Sequence, residues 1–183
     1  CNEPGADWEF INRIDYDVWS DARGVFVYLS YEYQITEGTA QGRLDLNDGT
    51  GWSAYLELGE DIVGPSGCCG ELTGIPDGPL ILLLGGRAHT IDDGALADVG
   101  MNCYDVFIVD GTLGYATLPG PPRLARWDGS LWSPFPGEPI PYEVRLVWAD
   151  RESVFCGGGS GTMLSLEGGE WVVKRDLLNE AAR

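Results

Sequence analysis

Few side chains in this sequence are of the kind that does chemistry, and their spacing builds no reaction centre. His89 is the single histidine among 183 residues. Arg23, Arg87, Arg123, Arg126, Arg145 and Arg151, with Tyr104 and Tyr142, are the types a hydrolase of carboxylated sugars would use to grip a carboxylate and supply a nucleophile. Nothing in their spacing gathers them. There is no Gly-x-Ser-x-Gly elbow and no His-Glu-x-x-His helix. The run GGGSG over 157–161 has the glycines of a phosphate cradle but lacks the lysine and helix that follow one, so it reads as a turn. The acidic pairs Asp45/Asp48, Asp92/Asp93 and Asp105/Asp110 are oxygen donors of the type calcium takes from loops, without an EF-hand or nonapeptide spacing. No catalytic residue, metal ligand or cofactor is assigned, calcium being the one ion the acidic loops leave open.

Charge narrows the partners. With 29 acidic against 11 basic side chains, the formal net charge is -18. Such a surface repels phosphate backbones, which excludes nucleic acid, and it disfavours direct adhesion to anionic lipid. An apolar share of 44% is too high for a disordered chain, yet the longest apolar run, Leu80 to Leu84, is far too short to span a bilayer. The 27 glycines and 11 prolines leave little room for long helices and favour short strands joined by turns.

Cysteine usage points to the compartment. The chain starts at Cys1, followed by the polar, unpatterned NEPGAD of residues 2–7. This resembles the mature end of a bacterial lipoprotein, which is cut before a cysteine that then carries the lipid. The expectation is an acyl anchor on Cys1, residues 1–7 as its tether, and a place on the periplasmic or extracellular face of a bacterial cell envelope. Setting Cys1 aside leaves Cys68, Cys69, Cys103 and Cys156, an even number suited to two disulfides in an oxidising compartment. Sequence does not choose among the three pairings; separate partners for the adjacent Cys68 and Cys69 at Cys103 and Cys156 are the better fit. Zinc is disfavoured by the lack of CxxC spacing and the single histidine.

The element pattern is a repeat. DVWSDARGVF (17–26) and LVWADRESVF (146–155) share Val-Trp-x-Asp and then Val-Phe at the same spacing. Further on, apolar-alternating segments run into tight turns at Gly49, Gly94, Gly129 and Gly169, spaced 45, 35 and 40 residues apart. Residues five and three before each glycine are Leu44/Leu46, His89/Ile91, Leu124/Arg126 and Leu164/Leu166. Alternation of period two ending in Asp-Gly or Gly-Gly is a hairpin signal, because positive φ is cheap at glycine. Three of the turns are followed by a tryptophan (Trp52, Trp132, Trp171) placed to fold over the hairpin. In this register His89 stands where three leucines stand, so it is a half-buried strand residue and not a base. Periods near 40 residues belong to propeller blades. The spacing predicts an all-β chain, a small β-propeller of about four blades of antiparallel sheet over 8–176, with repeats at about 17–55, 70–98, 99–133 and 144–176 and a tail at 177–183. WEFINR (8–13) resembles WVVKR (171–175), so a terminal strand closing the ring, or an arc completed by a partner, both fit. A β-sandwich is the alternative fold.

These VWxxxxxVF and GTxLxxxDGxxW units resemble a family of secreted and lipid-anchored bacterial propellers related to Asp-box, photosystem-assembly-factor and WD40-like repeats. The resemblance spans almost the whole chain but only at structural positions. Two partial Asp-box turns are present, Thr90–Gly94 and Asn47–Trp52, and neither is complete. The family implies a fold and not an activity.

Seven of the 11 prolines lie in PGPP (119–122) and PFPGEPIP (134–141), extended loops that serve as spacers or as a stiff docking edge. Aromatic residues outside the repeat are the candidate partner contacts: Tyr31 and Tyr33 between Leu29 and Gly42, Trp127, and Phe135 in the proline loop. The expected function is a non-enzymatic, lipid-anchored scaffold that binds a protein partner, part of a membrane-associated complex. The alternative is a glycan-binding or sialidase-like propeller using Tyr31–Gln34 and an arginine.

Overall fold

The structure, a computed structural model, describes residues 11–33, 39–58, 71–76, 78–137, 140, 142–158 and 161–176. Cys1, Cys68, Cys69, the 1–7 tether and the 177–183 tail lie outside them. Among the described residues there are sixteen strands and no helix, hence no helix able to cross a membrane. The strands form four separate four-stranded antiparallel sheets, each a meander in sequence order. Sheet 1 holds β1 (Ile11–Asp21), β2 (Gly24–Tyr33), β3 (Thr39–Asn47) and β4 (Trp52–Leu58). Sheet 2 holds β5 (Glu71–Gly74), β6 (Leu80–Leu84), β7 (Arg87–Asp92) and β8 (Ala95–Asn102). Sheet 3 holds β9 (Asp105–Asp110), β10 (Leu113–Thr117), β11 (Leu124–Trp127) and β12 (Trp132–Pro134). Sheet 4 holds β13 (Leu146–Ala149), β14 (Val154–Gly157), β15 (Thr162–Glu167) and β16 (Glu170–Asp176). The first strands are the inner ones: β1 lies against β5, β5 against β9, and β9 against β13. This is a four-bladed β-propeller and not a sandwich.

Each blade is hydrophobic on faces that only a neighbouring blade can cover. Phe26, Tyr28 and Leu44 of sheet 1 meet Leu72, Leu80, Leu82 and Ile91 of sheet 2 in a first core. Ile81, Leu83 and Ala88 turn the other way and meet Val106, Ile108 and Ala116 of sheet 3. Tyr115 and Leu124 then meet Val147, Val154, Cys156 and Leu164 of sheet 4. The apolar run Leu80–Leu84 is thereby explained: β6 is buried on both faces, so alternation disappears. Among the described residues no buried cluster joins sheet 4 to sheet 1.

The four repeat glycines all sit in the turn between the third and fourth strands, with φ of 92° (Gly49), 73° (Gly94), 101° (Gly129) and 90° (Gly169). Their chemistry is left-handed backbone that a side chain would strain. Acidic side chains brace these and other turns. Asp48 Oδ1 accepts from the Thr50 N–H at 2.8 Å, Asp110 Oδ1 from the Thr112 N–H at 2.7 Å, and Asp128 Oδ1 from the Ser130 N–H at 2.9 Å. Gly158 in the GGGSG run is a close-approach site, since a Cβ there would lie 2.5 Å from the Glu143 carbonyl oxygen. Its N–H donates to the Thr162 carbonyl, which closes the turn into β15.

Two expectations are corrected. Residues 11–13 belong to β1 and pair within sheet 1, while sheet 4 has its own four strands, so these residues do not close a ring on sheet 4. Trp132 and Trp171 pack on the second and third cores, but Trp52 is 58% exposed. The reason lies in the register: each tryptophan faces the preceding blade, and among the described residues none lies before sheet 1.

Candidate binding cleft and axial carboxylates

The first strand of each blade carries one residue at a shared place near the axis, facing the next blade: Asp17, Glu71, Asp105 and Leu146. Asp17 pairs across its hairpin with the buried Tyr28, and its Oδ2 accepts the Leu72 N–H of the following blade at 2.7 Å. Asp105, itself buried, accepts the Val147 N–H in the same way at 2.6 Å. These carboxylates satisfy inner-strand donors that have no ladder partner on that side. Glu71 lies between them. Burial of its carboxyl, then the charge of Asp105 and a hydrogen bond with it, then Asp17, push it up to about 8. Part of the Glu71 residue remains open to solvent. A raised carboxyl beside a second acid invites a catalytic reading, yet Asp105 is committed to backbone, and among the described residues no group of three metal-ligating side chains surrounds the two.

Cys103 and Cys156 are free, buried thiols in different cores, Cys103 between sheets 2 and 3 and Cys156 between sheets 3 and 4. The two expected disulfide partners therefore stand as separate thiols among apolar side chains. Burial, followed by the charge of Asp105, pushes both up to about 12. A thiol so raised is not a nucleophile at neutral pH. In the native chain at pH 8, both are expected to resist a disulfide reagent for as long as the fold persists. Labelling would then follow unfolding in guanidinium, and mass spectrometry of the two peptides reads it; prompt native labelling of either one would contradict the burial.

Three of the paired acids, Asp45, Asp48 and Asp110, make local bonds. Asp45 pairs with Arg43 at 2.6 Å, and Asp110 braces its turn and pairs with Arg151 at 2.8 Å. His89 is half-buried on β7 opposite Leu82, and burial lowers its pKa from the ordinary imidazole value.

Of the candidate contacts, Tyr31 and Tyr33 lie on β2, paired with Ile14 and Ile11 of β1 and with Gln41 and Thr39 of β3. This is the stretch by which sheet 1 outruns the shorter strands of the other blades. Trp127 fills the seam between sheets 2 and 3. It is half-buried, its ring centroid is 5.6 Å from that of Trp132, and its Nε1 donates to the Gly111 carbonyl at 3.3 Å. Phe135 lies on the other side of sheet 3, with its ring 6.1 Å from both Tyr115 and Trp171. Trp127 and Phe135 thus stand on opposite faces of sheet 3, while the side chains of Tyr31 and Tyr33 lie outside those described.

Phe135 instead walls an apolar cleft. The hairpin geometry puts the β10–β11 turn and the exit from β12 at one end of sheet 3, where the Leu118 N–H bonds the Arg123 carbonyl and the Phe135 N–H bonds the Leu124 carbonyl. Both proline loops therefore converge. Pro121, Pro122, Arg123, Phe135, Gly137 and Ile140 line a cavity of about 240 Å³ with Leu124 at its base. Among the described residues, Arg123 is the one charged group in its wall. The proline density was the sequence signal for this cleft; what sequence did not reveal is that the loops on either side of the β11–β12 hairpin face each other.

No protein-family model matches the chain, and no curated protein matches it. Chains of known structure do, among them YCF48 bound to D1 peptide, at 18% identity and a TM-score of 0.47 over 79% of this chain and 49% of that one. The chain thus spans about half the length of that protein.

Proposed function

We propose that this chain is a non-enzymatic propeller that binds a protein partner, held at the envelope by an acyl anchor on Cys1 as part of a membrane-associated complex. The observation that carries the reading is the cleft beside Phe135. Rigid apolar walls with one guanidinium suit an extended peptide segment that seats an apolar side chain next to a carboxylate. Proline walls lose little entropy on binding. No catalytic residue and no cofactor is assigned: the raised Glu71 carboxyl has beside it an Asp105 whose Oδ2 already accepts the Val147 N–H.

The test is co-purification from native membranes, with the partner identified by mass spectrometry. Phe135→Ala is expected to reduce recovery of a defined partner about tenfold or more, as truncation of a central aromatic anchor does. Because Phe135 also packs in the fold, Arg123→Glu is the second variant; it should reduce recovery without lowering thermal stability. Unchanged recovery in both would overturn the assignment of the cleft. Glycan-array binding that both variants abolish would replace the protein partner with a sugar.

A further inference from the structure

The blades of this chain meet by one rule, used three times. The face of each blade that looks forward packs on the face of the next that looks back. The rule leaves two faces over: the backward face of sheet 1 and the forward face of sheet 4. Both expose apolar side chains, on sheet 1 beside the Arg43–Asp45 ion pair. On sheet 1, Val18 is 53% exposed, Val25 39% and Trp52 58%. On sheet 4, Leu146 is 65% exposed, Trp148 50% and Met163 41%. The places equivalent to Val18 in the other blades are Leu72 (4%), Val106 (3%) and Val147 (5%), so its exposure follows from a missing neighbour and not from residue type.

The chemistry at the axis changes at this junction too. Within the chain, a carboxylate accepts the N–H of the next inner strand, as Asp17 does for Leu72 and Asp105 for Val147. At the end of the series the carboxylate is replaced by Leu146, while the Val18 N–H is already taken by its own Asp17 Oδ1 at 2.8 Å. The donor needs nothing from outside, and the residue opposite it is a leucine. The junction is built to be dry.

We infer that two copies of this chain join head to tail, sheet 4 of each against sheet 1 of the other, into one ring of eight blades. A second copy is the occupant because the two open faces are the two halves of the interface that the chain already forms three times. A two-fold axis satisfies both at once and leaves no end free. Closure of a single chain on itself would require all three packed seams to tighten together, which close-packed interiors resist.

The test uses the full chain in sedimentation velocity at micromolar concentration, where twice the 19.8 kDa chain mass is expected. Trp148→Glu on one face and Val18→Asp on the other should each raise the dissociation constant at least 100-fold. Mixing the two variants should restore a weaker dimer, because one seam is then intact; each variant alone should not recover. Val18→Cys with Leu146→Cys, oxidised and run beside the wild type, should give a covalent dimer. A wild-type monomer overturns the inference. So does a dimer that Val18→Asp leaves untouched, which would be sheet 4 on sheet 4. An intramolecular cross-link in the cysteine pair also overturns it, since that is a ring closed by one chain.

Discussion

Replacing Phe26 by alanine is expected to cost about 3–5 kcal/mol of stability, the range for a buried aromatic truncated in a core that cannot collapse. Phe26 is wholly buried, its ring centroid lies 5.2 Å from that of Tyr55 in an edge-on contact, and the Arg23 guanidinium sits 5.2 Å from the ring. The melting temperature should fall by roughly 10 °C or more for a chain of this size. Phe155 is the informative control. It holds the same place in the Val-Trp to Val-Phe repeat and pairs with Trp148 as Phe26 pairs with Trp19. No blade covers sheet 4 on that side, and Phe155 is only half-buried. In the monomer, Phe155→Ala should therefore cost about 1–2 kcal/mol. Equal losses at the two positions would mean that the blades are not stacked in the order described.

Glu71→Gln should stabilise the chain at pH 8 and do nothing at pH 4. The Glu71 carboxyl is pushed up to about 8 from an ordinary 4.5 by burial and by Asp105. Between those values the native chain holds a proton that the unfolded chain has released, so native stability falls as pH rises through that window. Glutamine keeps a donor toward Asp105 and removes the titration. Because the group is partly open to solvent, the gain is on the order of 1 kcal/mol. Chemical denaturation at pH 4, 6 and 8 measures it, and a gain independent of pH would rule out the titration as its cause. The turn aspartates run the other way. Asp48, Asp110 and Asp128 are held below their ordinary value, mainly by hydrogen bonds from their own turns, so the stability they add is lost as pH falls below about 3.8. The lowered His89 imidazole opposes the Glu71 trend, since its protonation below the ordinary 6.5 favours the unfolded chain. Relief of repulsion among the 29 acidic side chains acts in the same direction as the Glu71 proton.

The number and kind of blades were legible because turns are local. Gly49, Gly94, Gly129 and Gly169 mark the same hairpin four times, and a positive φ is a demand that one residue type meets. The residues five before them, Leu44, Leu124 and Leu164, are buried as the alternation implied. The axial acids were present in the same repeats, as the residue before each aliphatic: Asp17-Val18, Glu71-Leu72 and Asp105-Val106. They went unread because their partners are backbone amides of another blade, and a hydrogen bond 55 residues away leaves no periodic trace. Trp127 drew notice as an aromatic without counterparts, yet a side chain that fills a seam and one that meets a partner have the same letter. The difference between them is depth. Parity makes Cys103 and Cys156 candidate cross-links, whereas their places in two different cores depend on which strand faces which blade.

In every sheet, each strand bonds only the strand just before it and the strand just after it. A growing chain can therefore finish one blade before the next has been made, since no hydrogen-bond ladder waits for a distant segment. Such short-range wiring favours rapid, stepwise assembly from the first blade onward. Sheet 4 is left with an exposed tryptophan and leucine at its inner strand. Until something settles over them, that edge is where an incompletely assembled population would stick to its neighbours.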